Sequence, residues 1–161
     1  MSTVLTPWFP DEQSSQAETM VTERLARHWN AVTYTRSNSV EYDVCYILPY
    51  GTKRTCEIKS DFKAEQTNNV YFEIENTAKM SSSGLKATTA DVWAHYVPHV
   101  GIIFLFDPKA LLWYLSVHIH DSLREYIRLS SKCSGDNNSQ GYIVSLPFLQ
   151  QLKWCKQIGI S

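Results

Sequence analysis

The segment from Asp43 to Lys59 constrains this chain most, because it combines the apolar pattern of a β-hairpin with an acidic residue on the first strand and the acid–base pair Glu57 and Lys59 on the second. Two short apolar strands flank a turn at Pro49–Gly51. Side chains alternate between the two faces of a strand, so Glu57 and Lys59 point to the same face. Charged groups in an apolar hairpin are costly to bury unless something compensates them. A divalent metal ion and a phosphate would compensate this set.

Length and composition predict one domain of ordinary globular type. The chain has 161 residues, of which 43% are hydrophobic and 19% are charged, and we expect residues 1–161 to form a single domain. Fifteen basic against 16 acidic side chains give a net charge of −1. This balance argues against a protein that coats DNA through a uniformly basic surface. A nuclease remains compatible with it, because metal-binding acids offset basic residues elsewhere.

Cysteine usage and hydropathy predict a cytoplasmic protein. The four cysteines form no Cys-x-x-Cys pair, which argues against a structural zinc site or a disulfide framework. The first residues are polar and contain no apolar signal segment. Apolar runs such as residues 100–106 are too short to cross a bilayer. We therefore expect a soluble chain with no membrane partner.

The pattern along the chain predicts an α/β fold with a central mixed β-sheet flanked by helices. Residues 1–13 read as an extended arm, and Ser15 to Glu18 have capping-box spacing before a helix that runs to Trp29. Glu18 lies within the apolar stripe of this helix. Later segments are predicted as a third strand (69–75), a short helix or turn (88–96), a buried central strand (100–106), a capped helix (121–127), a short strand (141–146) and a terminal helix (147–156).

The charged hairpin suits metal-assisted hydrolysis of a phosphodiester. Mg²⁺ prefers oxygen ligands and uses one or two carboxylates beside several waters. Asp43 and Glu57 fit that role, with the Ile58 carbonyl as a further ligand, and Lys59 would orient the water or stabilise the phosphate. The simpler interpretation is a salt bridge on a solvated face between Lys59 and either acid. The apolar surroundings favour the metal site over that interpretation.

This arrangement resembles the PD-(D/E)XK nuclease superfamily, in which a helix with a glutamate precedes an aspartate, a turn and Glu-x-Lys. The sequence CEIKSD at residues 56–61 is similar to the E-(I/V)-K-x-D of phage-type and restriction-type members. NVYFE at 69–73, SGL at 83–85 and TADVW at 89–93 resemble a pattern of small phage-encoded members. The resemblance covers about residues 15 to 106 and leaves the C-terminal third unmatched. Tyr42 stands where many members have proline, a position that varies.

The resemblance implies a restriction-endonuclease-like fold and Mg²⁺- or Mn²⁺-dependent cleavage of DNA. Asp43, Glu57 and Lys59 would be catalytic, and a helix glutamate would be an auxiliary metal ligand. Glu18 is preferred to Glu23 because it projects from the apolar stripe, although helix capping explains Glu18 equally well. Small members of the superfamily often cut two strands as a pair, which implies a homodimer.

Other residues extend the predicted site. Glu73 is either an additional metal ligand or the partner of a basic residue. Contacts with the DNA backbone are predicted for Lys53, Arg54, Lys63, Ser83 and Lys86. Each of these has a simpler interpretation, as an ordinary surface charge or part of a flexible connection.

Three functions follow from this set of residues. The first is a divalent-metal-dependent DNA endonuclease. The second is a catalytically inactive protein with the nuclease fold that binds nucleic acid or a host partner. The third is a ribonuclease that uses the same site. The complete set of Asp43, Glu57 and Lys59 favours the enzyme over the inactive protein.

Overall fold

The computed structural model describes residues 10–37, 39–131 and 138–160. No helix in these ranges is long and apolar enough to cross a membrane. The elements follow in the order α1 (Pro10–His28), β1 (Thr33–Arg36), β2 (Val44–Ile47), β3 (Lys53–Ser60), α2 (Ala64–Thr67), β4 (Asn69–Asn76), β5 (Ser81–Ser82), β6 (Val92–Val97), β7 (Ile102–Phe106), α3 (Pro108–His118), β8 (Ile127–Leu129), β9 (Ser139–Ser145), α4 (Leu146–Gln151) and β10 (Lys156–Gly159).

A six-stranded mixed sheet forms the centre of the fold, in the order β1-β2-β3-β6-β7-β10. Only the β3–β6 pair is parallel within this sheet. The predicted hairpin is confirmed: β2 and β3 pair antiparallel, with Val44 opposite Cys56. Tyr50 and Gly51 in its turn have φ values of 72° and 83°, and such positive φ values match the turn to the twist of the strands. The predicted mixed α/β architecture is therefore confirmed.

A second, antiparallel sheet in the order β5-β4-β9-β8 packs against one face of the first. The predicted third strand is β4, which belongs to this second sheet. Phe72 of β4 contacts the central sheet through Phe106, with ring centroids 5.7 Å apart, and through His95 at 4.7 Å. The two sheets thus enclose one apolar core between them.

The opposite face of the central sheet is covered by α1. Val21 and Leu25 of α1 are fully buried, and each such side chain contributes about 2 kcal/mol through its removal from water. Cys56 and Ile58 of β3 belong to this α1-side core. Because side chains alternate, Glu57 and Lys59 point to the other face, beside the second sheet.

The structure corrects the predicted start of the first helix. α1 spans Pro10–His28, so residues 10–13 are helical instead of extended; residues 1–9 of the predicted arm lie outside the described residues. Ser15 to Glu18 are therefore inside the helix, and the interpretation of Glu18 as a capping residue is wrong. Proline is well tolerated in the first turn of a helix because its missing N–H has no partner there anyway.

Three further elements differ from the sequence prediction. Residues 92–97, expected in a helix or turn, form strand β6 between β3 and β7, because burial on both faces outweighs local propensity. The predicted helix at 121–127 is a 3-10 turn, Ser122–Glu125, followed by β8. The terminal helix ends at Gln151, and the chain continues into β10. The strand predicted at 100–106 is confirmed as β7.

Candidate active site

Asp43 lies at the start of β2 and is held against β3 by hydrogen bonds. Its backbone N–H donates to the carbonyl oxygen of Cys56 over 3.0 Å. Its carboxylate oxygen Oδ2 accepts the backbone N–H of Ile58 over 2.7 Å. Extension of the register Val44–Cys56 by one residue places Asp43 opposite Glu57. Glu57 lies on the sheet face that points away from α1, because its neighbours Cys56 and Ile58 face α1, and Asp43 lies in the bend just before β2.

Glu57 and Lys59 form an ion pair along the same strand. The distance from Lys59 Nζ to Glu57 Oε1 is 3.2 Å, and the side chains are 48% and 13% exposed, respectively. The salt bridge considered from the sequence is thus present between these two residues. It does not lie on a solvated face, because the acidic partner is mostly buried and only the lysine reaches water.

Burial disfavours the ionised forms of both carboxyl groups. Burial raises the pKa of Asp43, Glu18 adds to the rise, and the Ile58 N–H, Lys59 and Arg36 oppose it. Burial also raises the pKa of Glu57, and the negative charges of Asp43 and Glu18 act in the same direction while Lys59 opposes them. The pKa values of both carboxyl groups are therefore raised above their usual values. This region therefore holds more negative charge than its own cations compensate.

Glu18 contributes charge to this region from the helix side. Its carboxylate accepts a hydrogen bond from the guanidinium group of Arg36 in β1, and the two side chains form an ion pair. The charge of Glu18 also contributes to the raised pKa values of Asp43 and Glu57. Glu23 is exposed, as predicted from its position on the flank of the helix. The structure thus brings Glu18 within electrostatic range of the pair, with its carboxylate already bound by Arg36.

The donor set fits a hard divalent cation better than zinc. Asp43 and Glu57 supply carboxylate oxygens, and the Ile58 carbonyl faces the same strand edge as the Ile58 N–H that Asp43 accepts. Across the described ranges, no group of three or more His, Cys, Asp or Glu side chains is arranged to hold a metal ion. Mg²⁺ keeps several waters beside one or two carboxylates, whereas a structural zinc site takes four protein ligands.

Glu73 lies on β4, in the second sheet, where it is half-buried. Gly84 packs directly on its backbone, since a Cβ on Gly84 would lie 2.1 Å from the Glu73 carbonyl oxygen. In the part of the chain that the structure describes, no hydrogen bond or ion pair joins Glu73 to Asp43 or Glu57. The structure therefore does not bring Glu73 into direct contact with the carboxylate pair.

Ser83 and Lys86 lie in a turn that leads back toward Asp43. The Ser83 hydroxyl is buried without a hydrogen-bond partner among the described residues, and Lys86 ends the 3-10 turn Gly84–Lys86 with an exposed side chain. Just beyond it, the Thr88 hydroxyl donates to the carbonyl oxygen of Glu41 over 3.3 Å. This turn thus connects the second sheet to the loop that carries Asp43.

The remaining predicted phosphate contacts lie elsewhere on the surface. Lys53 is exposed at the start of β3, and Lys63 is exposed just before α2. Arg54 stacks on Trp29, with its guanidinium carbon 5.0 Å from the ring centroid. Arg54 and Trp29 belong to the α1 side of the sheet, the face opposite to Glu57. These side chains do not form one cluster with the carboxylate pair.

The structure contains a buried polar network that the sequence prediction missed. Trp93 Nε1–H donates to His95 Nδ1 over 3.1 Å, and His95 Nε2 lies 3.3 Å from Asp61 Oδ2. The indole can only donate, so Nδ1 accepts and the ring proton sits on Nε2, from which it is donated to Asp61. The Tyr71 backbone N–H donates to the same Asp61 oxygen over 2.9 Å. Asp61 therefore joins the central sheet to β4.

Hydrogen bonding reverses the effect of burial on Asp61. Burial alone would raise the pKa of this carboxyl group, but hydrogen bonds from His95 and from the N–H groups of Tyr71 and Ala64 lower it. Asp61 follows directly after the end of β3 and is held by hydrogen bonds in place of solvent. The signal that would have found the network is the alternation of Trp93 and His95 within a strand, which the predicted helix or turn concealed.

No protein-family model, curated protein or solved structure matches this chain. The functional assignment therefore depends on the geometry of the chain's own residues.

Proposed function

We propose that this chain is a divalent-metal-dependent endonuclease that hydrolyses DNA, with Asp43, Glu57 and Lys59 as its catalytic residues. The observation that carries the proposal is the pair of mostly buried carboxylates, both with raised pKa values, beside a half-exposed lysine. Buried charge without compensation opposes folding. Such an arrangement is typical of functional sites, where groups are held ready for a ligand. A restriction-endonuclease-like arrangement of the central sheet is part of the same proposal.

Asp43 and Glu57 would hold Mg²⁺ or Mn²⁺, with the Ile58 carbonyl as a further oxygen donor. When bound, such an ion supplies positive charge to the phosphate and lowers the pKa of an attacking water. Asp43 already has one oxygen fixed by the Ile58 N–H, so its orientation is set before any ligand arrives. Glu18, which is paired with Arg36, would be an auxiliary ligand in the outer shell of the ion and would add negative charge to the site.

Lys59 is the residue proposed to act on the phosphate. Its side chain is 48% exposed and its ammonium group lies 3.2 Å from Glu57. Neutralisation of Glu57 by a bound cation would release the ammonium group for the nucleophilic water or a phosphoryl oxygen. A lysine carries a mobile point charge on a flexible stem, which suits this transfer. Ser83 and Lys86 would contact the phosphate backbone beside this centre, and Lys53, Arg54 and Lys63 would contact it further away.

Duplex cleavage requires two strand cuts, and one chain carries one such carboxylate pair among its described residues. We therefore propose that two copies act together as a homodimer. The described cysteines Cys45, Cys56 and Cys155 are unpaired, which supports a reducing location such as the cytoplasm.

A cleavage panel with Mn²⁺ tests the function. Labelled single-stranded DNA, duplex DNA, a branched junction and RNA would be incubated with the wild type and with Asp43→Asn, Glu57→Gln and Lys59→Ala. We expect DNA cleavage by the wild type and its loss in all three variants. Glu41→Gln is the matched control, because this exposed acid lies two residues from Asp43 and its loss should leave cleavage unchanged.

Cleavage at wild-type rates by both Asp43→Asn and Glu57→Gln, in preparations free of contaminating nuclease, would overturn the assignment. Binding of DNA without cleavage of any substrate would favour the catalytically inactive nuclease-fold protein. Preferential cleavage of the RNA substrate would favour the ribonuclease.

A further inference from the structure

Basic side chains from three elements gather at the C-terminal end of α1. Arg24 and His28 come from α1, Arg54 from β3 and Lys156 from β10, and the charges of the other three act on His28. Arg27 precedes His28 in the last helical turn. We call these five residues the α1 basic surface. It lies on the α1 side of the central sheet, opposite to the face to which Glu57 points.

Two of these side chains are fixed by contacts within the fold. Arg24 Nε donates to the carbonyl oxygen of Gly159 over 3.0 Å, which ties α1 to β10. The Arg54 guanidinium group lies over the Trp29 ring at 5.0 Å. Arg27 and Lys156 are exposed. The surface therefore combines cations held in place with others free to reach a ligand.

Within residues 10–37, 39–131 and 138–160, no salt bridge involves the side chains of the α1 basic surface. Burial lowers the pKa of His28, and Lys156, Arg24 and Arg54 lower it further through their charge. The chain has a net charge of −1, so this concentration of cations is a local departure from its overall balance.

The helix dipole explains only part of this arrangement. Cations near a helix C-terminus are stabilised by about 0.3–1 kcal/mol, which accounts for Arg27. It does not account for Arg54 and Lys156, which approach from two different strands. Like charges from separate elements repel each other and lower stability unless an anion is bound. An extended polyanion fits cations spread over three elements better than a single small anion does.

We propose that the α1 basic surface binds the phosphate backbone of a nucleic-acid segment that flanks the cleaved bond. This inference rests on the proposed function for its choice of polyanion. Arg54 and Glu57 point to opposite faces of β3, so the surface would contact a part of the substrate away from the proposed active site. The surface would strengthen binding of long substrates and leave the chemical step on short ones unchanged.

Salt-dependent binding without divalent metal tests this surface separately from catalysis. Anisotropy of a labelled 30-base-pair duplex in EDTA would be measured across a KCl series for the wild type and for Arg27→Gln/Lys156→Gln. Each lost phosphate contact reduces the slope of log K against log salt by about 0.9, so the double variant should lower the slope by about 1.8. Affinity at low salt should fall by about tenfold or more.

Lys79→Gln/Lys109→Gln is the matched control, because both lysines are exposed and lie in a loop and a helix outside the α1 basic surface. We expect this variant to retain the wild-type slope. An unchanged slope in Arg27→Gln/Lys156→Gln, or an equal reduction in both double variants, would overturn the proposal. A selective reduction by Arg27→Gln/Lys156→Gln would support it even if no substrate is cleaved, in which case the proposed catalytic function alone fails.

Discussion

Two acidic groups at the same end of β3 are equally buried and yet opposite in their electrostatics. The side chains of Glu57 and Asp61 are 13% and 10% exposed. Asp61 accepts hydrogen bonds from the Tyr71 N–H and from His95, and its pKa is lowered. Glu57 lies beside Asp43 with Lys59 as its direct cation, and its pKa is raised.

The difference teaches how to separate a structural carboxylate from a functional one. Burial is unfavourable for both, so burial alone does not identify the site. The groups differ in how the fold compensates their negative charge. Asp61 accepts hydrogen bonds that lower its pKa, whereas the contacts of Asp43 and Glu57 do not offset the effect of burial on their pKa values. The Asp61 network stabilises the contact between the two sheets. Under the proposed function, a bound cation would stabilise the Asp43–Glu57 pair.

The largest expected effect is a separation of activity from stability in the double variant Asp43→Asn/Glu57→Gln. Loss of the charged ligands should reduce kcat/KM for DNA by at least about 1,000-fold. Removal of two repelling charges should leave the free energy of unfolding unchanged or raise it, as is common for substitutions at active sites. Cleavage assays and urea unfolding in EDTA measure the two quantities. A variant that is inactive because it is strongly destabilised would contradict the comparison.

Asp61→Ala should have the opposite effect. It leaves the Tyr71 N–H and the His95 Nε2–H without an acceptor in the core, which should lower the free energy of unfolding by about 3 kcal/mol. Glu65→Ala is the matched control, because Glu65 is exposed in α2 and its loss should change stability by less than about 0.5 kcal/mol. Equal stabilities of the two variants in urea unfolding would show that Asp61 is not a structural residue.

The Asp43–Glu57 pair and Asp61 should change the pH dependence of stability in opposite directions. The pKa values of Asp43 and Glu57 are raised above 3.8 and 4.5, so their unfavourable contribution is full at neutral pH and is relieved as the pH falls through the folded values. The pKa of Asp61 is below 3.8, so its stabilising contribution persists to lower pH.

Urea unfolding between about pH 8 and pH 3 measures both signs. Any stability advantage of Asp43→Asn/Glu57→Gln over the wild type should shrink first on acidification. The deficit of Asp61→Ala should shrink only below pH 3.8. An advantage that grows as the pH falls would contradict the raised pKa values.

The smallest expected effect concerns two buried serine hydroxyls. The Ser83 hydroxyl has no partner in the described chain, so Ser83→Ala should leave stability unchanged or raise it by up to about 1 kcal/mol. The Ser130 hydroxyl accepts the Gly141 N–H over 3.0 Å, so Ser130→Ala should lower it by about 1 kcal/mol. Thermal unfolding measures the stability of both variants. Equal destabilisation would show that the Ser83 hydroxyl also has a hydrogen-bond partner in the folded protein.

The hairpin was predictable from the sequence because its evidence is local. An apolar alternation, a turn and the spacing of Glu57 and Lys59 are all contained in one short segment, and strand geometry then fixes their shared face. Asp43 was placed on the paired strand for the same reason. The structure confirms the hairpin and places Asp43 in a bend one residue before the first residue of β2.

The Asp61 network was not predictable because its partners are distant in the sequence. Trp93 and His95 join Asp61 only once β6 pairs parallel with β3, and a parallel pair needs a long connection that leaves no local pattern. The segment around them has no strict alternation, since β6 is buried on both faces. The second sheet was missed for a similar reason, because it pairs β4 with β9, which are separated in the chain by residues 77–138.

Thermal unfolding across a Mn²⁺ titration tests the central claim most directly. In EDTA, Asp43→Asn/Glu57→Gln should melt at or above the temperature of the wild type. Mn²⁺ should then raise the melting temperature of the wild type alone, since an ion at a hundred times its Kd adds about 2.7 kcal/mol to the folded state. A Mn²⁺ response that is absent from the wild type, or equal in the two proteins, would contradict the assignment of Asp43 and Glu57 as a cation-binding pair.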